Sequence, residues 1–362
     1  MPTQPQSVGP TLTNVTEIGR KVVKFGLIGI VVLMVGRVSI NAFVAYWKAT
    51  HPPPPPPPTV GFGTLPAVMF PEKSTDDSPI SYRLETANGQ LPQFGDRAKV
   101  FFMPKAASSL LDDQTAKTIA SSFGFIFQPE ILSTEAYRWT KSEPLQSTLE
   151  LNTRNHHFKL TTDYLSRPEL LLNSSVPSSF KAVDTVKSML KGASLLPSDV
   201  ATASGEVVFM KAVGGELDEA VSPSDTDYLQ VDLFRTPIDN KYRMYSPEGL
   251  KGTISAVISG AARADSSVVE LISYYSPVDY SQVHTYPIRT SQEAWQVLQA
   301  GEGFVAYPSK NETAVIRSVS LGYFDDYEEQ EYLQPIYVFS NPEDGFLAFV
   351  SAVDPEFIQS SR

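Results

Sequence analysis

The sequence predicts an α+β protein on a single N-terminal transmembrane helix, its body a tandem of small antiparallel sheets, each packed by a helix. Three observations predict it. A long apolar run lies near the N-terminus, from Val22 to Trp47. Beyond it, a helix followed by strands recurs three times, after Asp113, Ser179 and Thr290. The chain also has no cysteine, so its cores form without disulfides or Cys-ligated metals.

Phe25 to Gly36 is an unbroken apolar or glycine run, and its extension to Trp47 gives 23 residues. At ~1.5 Å per residue that length covers a hydrocarbon core of roughly 30 Å. Tyr46 and Trp47 close the far end, at the level aromatic rings prefer. A cleaved signal peptide is the competing reading, but Arg37 follows the apolar run at once and no small-x-small pair stands at the cleavage distance. Arg20, Lys21 and Lys24 precede the span, so the positive-inside rule leaves the N-terminus cytoplasmic and the rest outside. Within the span Arg37 either snorkels to water or meets a polar partner in another membrane helix. Asn41, one turn on, shares its face.

Residues 1–50 hold five Lys/Arg and one acidic residue, whereas the remainder holds 24 basic and 39 acidic residues. An acidic outer part excludes nucleic acid and anionic lipid as partners and suits a basic protein partner or cations. An extracytoplasmic region without disulfides is ordinary for a bacterial envelope protein.

The organisation reads as a cytoplasmic tail over 1–19, the transmembrane helix over 20–48, and a proline-rich spacer with an extended segment over 49–77. A first extracytoplasmic α+β domain covers 78–166, a linker and helix 167–205, a second α+β domain 206–355, and a tail 356–362. The seven prolines from Pro52 to Pro58 make a stiff spacer of about 20 Å. Located outside the cell, they are a spacer rather than a ligand for SH3-type modules. The next stretch, GFGTLPAVMFP, is too apolar for a plain linker. It either lies on the first domain's surface or docks a partner through Phe62, Leu65 and Phe70.

Strands are expected at 81–86 and 99–103. A helix capped by Asp112 or Asp113 runs to Ser122 and stops at Gly124. Residues 136–140, 147–152 and 157–162 read as strands, the last two as a hairpin. Val183, Val186 and Leu190 recur at helical spacing over 180–190. Nine strands are expected beyond, at 206–213, 228–235, 252–258, 268–275, 285–288, 303–307, 314–323, 334–340 and 346–353. Thr290 to Glu293 forms a capping box for a short helix that Gly301 ends.

Within the last third, Tyr286-Pro287-Ile288 leads into that helix. Leu321-Gly322-Tyr323, Pro335-Ile336-Tyr337-Val338-Phe339 and Phe349-Val350-Ser351-Ala352-Val353 follow in order. This order, over about 228–354, resembles the YycI/YycH family of membrane-anchored extracytoplasmic regulators of a bacterial sensor kinase. The resemblance implies binding through sheet surfaces and the membrane helix, without catalysis.

The sequence lacks a P-loop, a G-x-G-x-x-G turn, an H-E-x-x-H helix and a G-x-S-x-G elbow. Ser178-x-x-Lys181 and Ser188-x-x-Lys191 match S-x-x-K, a spacing any helix produces, and neither S-D-N nor K-T-G accompanies them. No cofactor or metal site is expected. The acidic groups around 216–227 and 325–331 read as solvated loops without EF-hand spacing. Tyr323, Tyr327, Tyr332 and Tyr337 either line a core or rim, or form a binding face for glycan or peptide. The expected function is therefore a non-catalytic regulatory or assembly subunit that binds another membrane or envelope protein. A peptidoglycan-acting hydrolase and a glycan-binding module are the alternatives.

Overall fold

The computed structural model describes residues 12–50, 56–72, 81–167, 175–260 and 267–359. The chain divides into two compact units, Met1–Pro57 and Pro58–Arg362. The first holds one helix, α1 (Leu12–Thr50), which is already formed at Leu12, eight residues before the expected start. Within it Gly19–Lys48 is long and apolar enough to cross a membrane. Residues 1–11 of the tail and 51–55, which include His51 and most of the proline run, lie outside the described residues.

The second unit opens with β1 (Ser81–Leu84), β2 (Arg97–Phe102) and α2 (Asp112–Ser122). Strands β3 (Glu130–Ile131), β4 (Ala136–Lys141), β5 (Ser147–Asn152) and β6 (Phe158–Thr162) follow. Two helices come next, α3 (Ser179–Gly192) and the single turn α4 (Ser198–Ala201). Then run β7 (Gly205–Val213), β8 (Glu216–Glu219), β9 (Tyr228–Leu233), β10 (Met244–Tyr245), β11 (Ile254–Ser259), β12 (Val268–Ser273) and β13 (Asp279–Pro287). After α5 (Ser291–Gln299) the chain closes with β14 (Phe304–Tyr307), β15 (Thr313–Ile316), β16 (Ser318–Phe324), β17 (Tyr332–Asn341) and β18 (Phe346–Ser351).

A nine-stranded antiparallel sheet runs β3-β4-β5-β6-β12-β11-β9-β7-β8. Its alternation is clean: Leu149 and Leu151 of β5 and Leu229, Val231 and Leu233 of β9 face one core. The apolar stripes of α2 (Ala116, Ile119, Ala120) and α3 (Ala182, Val186, Leu190) cover that face. Tyr228, Val257 and Val269 point the other way, into a smaller cluster with Leu145 and Tyr164.

The seven-stranded sheet runs β10-β16-β17-β18-β14, and β2 joins the start of β17 to β13. Helix α5, held by the expected capping box, packs Ala294, Trp295 and Leu298 on one face against Tyr337, Phe339 and Ala348. The opposite face, with Ile336, Val338 and Phe349, receives Val68 and Phe70 of the segment that leads into the unit.

This topology replaces the expected tandem of small units and the 78–166 and 206–355 domains. Strand β6 pairs with β12, and β2 pairs with β13 and β17, so both stretches share both sheets. The helix-then-strand order does recur, but the strands after each helix pair with partners far away in sequence. The acidic stretch at 216–219 is a strand rather than a loop. Gly214 and Gly215, both at positive φ, make a two-residue turn that returns β8 onto β7. The expected strand at 314–323 is two: β15 pairs in parallel with β1, and β16 pairs with β17. Helix α2 begins without a side-chain cap, and Asp112 instead accepts the Ser109 backbone N–H. It does end at Gly124, which has a φ of +83°.

Candidate functional site

Arg235, two residues after β9, is fully buried. Its Nε and Nη2 donate to Asp325 Oδ2 and Oδ1 at 2.8 and 3.1 Å, a bidentate pairing. Its Nη1 donates to Asp199 Oδ2 at 3.0 Å, and Nη2 also donates to the Ser276 carbonyl. The guanidinium lies 4.1 Å from the Tyr275 ring centre. Asp199 in turn accepts the hydroxyls of Tyr275 and Tyr280 at 3.0 and 2.8 Å. Burial is the largest single influence and pulls the guanidinium pKa down, but the Asp325 charge and hydrogen bonds, joined by Tyr275 and Asp199, together outweigh it and hold the pKa above its ordinary value. Thus α4, the end of β9, the β12–β13 connection and the end of β16 meet in one buried cluster. It ties the nine-stranded sheet to the seven-stranded one.

The same cluster fixes the start of an acidic loop. Asp325 is clamped by Arg235, and its backbone N–H donates to the Tyr245 carbonyl at 2.8 Å. The far end is held by the Met103 N–H on the Glu331 carbonyl, 2.9 Å. Between them, Gln330 Nε2 donates to the Phe324 carbonyl at 2.9 Å. Glu329 accepts the Ala106 N–H at 3.1 Å and Arg154 Nη2 at 2.9 Å. Residues 325–331 are therefore anchored along their whole length.

The segment at 58–71 is fixed as firmly. Leu65 is fully buried, donates its N–H to Phe357 and accepts from Gln359, both at 2.8 Å. Tyr286 Oη receives the Phe62 N–H at 2.9 Å and donates to the Gly63 carbonyl at 3.0 Å. Phe70 stacks on Phe304, with centroids 5.5 Å apart, and meets Phe324 edge-on at 4.9 Å.

Between segment and loop lies a cleft of about 590 Å³. Pro66 to Pro71 form one wall; Pro247 and residues 326–332 form the other, with Lys105 and Gln334 completing the lining. Four carboxylates line it: Asp326, Glu328, Glu329 and Glu331. Burial raises the Asp326 pKa to about 6, against the lowering pull of the Glu328 and Tyr327 backbone N–H groups; Glu328 and Asp325 add to the rise. Gln334 is 4% exposed and donates Nε2 to the Pro66 carbonyl at 2.9 Å, while its Oε1 has no hydrogen-bond partner.

The residues singled out in the sequence divide across this arrangement. Phe62, Leu65 and Phe70 are not a free docking segment. They pack against the unit's own aromatic rings and C-terminal residues, because an apolar segment tethered beside a sheet face buries there first. That face belongs to the seven-stranded sheet, not to the expected first domain. Tyr323 and Tyr337 are not a binding face either. Both are buried, with hydroxyls donating to the Lys99 and Arg289 carbonyls at 2.9 and 2.7 Å. Tyr327 and Tyr332 stay partly exposed and line the cleft together with Phe70. Ser178, of the S-x-x-K match, caps α3 by accepting the Lys181 N–H, while Lys181 Nζ pairs with Asp184 at 3.1 Å. Arg37 and Asn41 are exposed on α1. Sequence reasoning missed Arg235 and Gln334, and it read Asp326 as part of a solvated loop, whereas that carboxyl is largely buried and lines the cleft. The available signal was an acidic pair, Asp325-Asp326, directly after the apolar strand LGYF.

No family model matches the chain, and no curated protein matches it. Among solved structures it is similar to an uncharacterized protein from Eubacterium rectale ATCC 33656, at 12% identity and a TM-score of 0.40. That likeness spans 72% of this chain and 84% of the other, and at this level says nothing about function.

Proposed function

We propose that this protein is a single-pass, membrane-anchored binding subunit of a bacterial envelope complex. Its N-terminus is cytoplasmic, its folded unit extracytoplasmic, and its role regulatory or assembly-related rather than catalytic. The observation that carries the reading is the cleft. Two walls, irregular up to the first residue of β17, are each pinned by several hydrogen bonds, which is preorganisation for a partner. The anchor fits the same role: an apolar span, Gly19–Lys48, is followed a few residues later by a proline run. Arg37 and Asn41 supply a polar stripe for a second helix in the same complex. The resemblance to YycI/YycH regulators points to a sensor kinase as one partner of this kind.

Chemical crosslinking in native membranes, followed by mass-spectrometric identification, tests the proposal. The expected result is one membrane or envelope protein recovered with the chain in reproducible stoichiometry. Recovery of the chain alone, or of glycan strands alone, overturns it.

A further inference from the structure

We propose that the cleft binds a lysine- or arginine-bearing peptide segment of the partner. The inference rests on the binding role above and names the chemistry that the partner must offer. Two features of the cleft select it.

The first is that carboxylates dominate the cleft's charged groups: among the described residues, Asp326, Glu328, Glu329 and Glu331 line it against one lining cation, Lys105. One oxygen of Glu329 is engaged by Arg154 and the other by the Ala106 N–H, so the remaining three carboxylates carry the uncompensated charge. A ligand bringing N–H donors and positive charge answers this feature.

The second is shape and polarity. The volume suits an organic ligand rather than a bare ion. Among the described residues no three His, Cys, Asp or Glu side chains converge to hold a metal. Val68, Met69, Phe70, Tyr327 and Tyr332 line the same space, apolar surface against which a lysine or arginine stem packs while its head meets the carboxylates. The two tyrosine rings add faces for a cation. Beyond the cleft, the acidic excess of the chain after residue 50 favours a basic protein over any anionic partner.

The test uses the full chain in nanodiscs of zwitterionic lipid, with empty discs as blank. The probe is a fluorescein-labelled peptide, Ala-Lys-Leu-Lys-Ala, followed by fluorescence anisotropy. Expected are saturable binding, loss of binding when both lysines are Nε-acetylated, and weakening by about tenfold in Asp326→Asn and Glu328→Gln. Equal binding of the acetylated peptide overturns the proposal. So does displacement of the peptide by equimolar spermidine, or by calcium at micromolar concentration, which would assign the cleft to a free polyamine or a metal ion. A partner crosslinked in membranes, combined with no lysine-dependent binding here, would sink this inference and leave the binding role standing. No partner in either experiment would sink both.

Discussion

Replacing Arg235 with methionine removes the cation at the centre of the cluster that joins the two sheets. The guanidinium has no exposed surface and the Asp325 side chain is only 4% exposed. Without the cation, a buried carboxylate loses both of its charge-assisted hydrogen bonds. Asp199 fares better, because the Tyr275 and Tyr280 hydroxyls still reach it. Breaking a buried pair from one side costs about 3–5 kcal/mol, a large part of the roughly 5–15 kcal/mol that holds a typical domain. The assay is urea unfolding of the full chain in detergent micelles, read from variants that keep one tryptophan. Trp139 lies in the core of the nine-stranded sheet and Trp295 on α5 against the seven-stranded one. Both should report the loss. A triple change, Arg235→Met with Asp199→Leu and Asp325→Leu, should recover much of it, since apolar replacement of a whole buried cluster is often neutral or better. A loss below about 1 kcal/mol, the range of exposed pairs, would refute the assignment of Arg235 as the lock between the sheets.

Three further outcomes follow from the cleft and the segment that leads into it. Phe70→Ala removes two aromatic pairs and should cost about 1–3 kcal/mol, measured in the same unfolding assay, whereas Leu65→Ala, at a fully buried position, should cost about 2–5 kcal/mol. Asp326 has a folded pKa of about 6 against an ordinary 3.8, so folding favours its protonated form. The resulting stabilisation is full at pH below the unfolded value and is lost as pH rises through about 6. Asp326→Asn should therefore flatten the stability-versus-pH curve between about pH 4 and 6 and leave the variant more stable at pH 8, by at most about 3 kcal/mol at ~1.36 kcal/mol per pH unit. An unchanged curve would mean that Asp326 is as well solvated as an ordinary carboxylate.

What could be read from the sequence was local. The capping box at Thr290 and Glu293, the stripes of α2 and α3, and the alternating β5–β6 hairpin all depend on neighbours within a few residues. Those signals survive folding, because each element buries the face its own pattern marks. What could not be read was pairing over distance. Strand β6 meets β12 more than a hundred residues on, and periodicity within a strand carries no information about its partner. The four tyrosines show the same limit. Tyr323 and Tyr337 lie on the apolar strands LGYF and PIYVF and are buried, whereas Tyr327 and Tyr332 flank acidic residues and stay partly exposed. Composition alone had grouped them. The Gly214-Gly215 turn was legible but overridden by the acidity of the residues after it, although an edge strand is where charged side chains belong. Arg235 and its partners, 36 and 90 residues away, had no sequence signal that would join them.

The central claim is that the cleft is where an anchored subunit grips its partner, and placing a photoreactive side chain at Met69 tests it most directly. Met69 is an exposed residue on the cleft wall, and Phe180, exposed on α3 and absent from the cleft lining, is the matched control. Irradiation of native membranes should crosslink the Met69 probe to an envelope protein, at a lysine- or arginine-containing segment, and leave the Phe180 probe unlinked. Equal crosslinking from both positions, or crosslinking from Phe180 alone, would contradict the account.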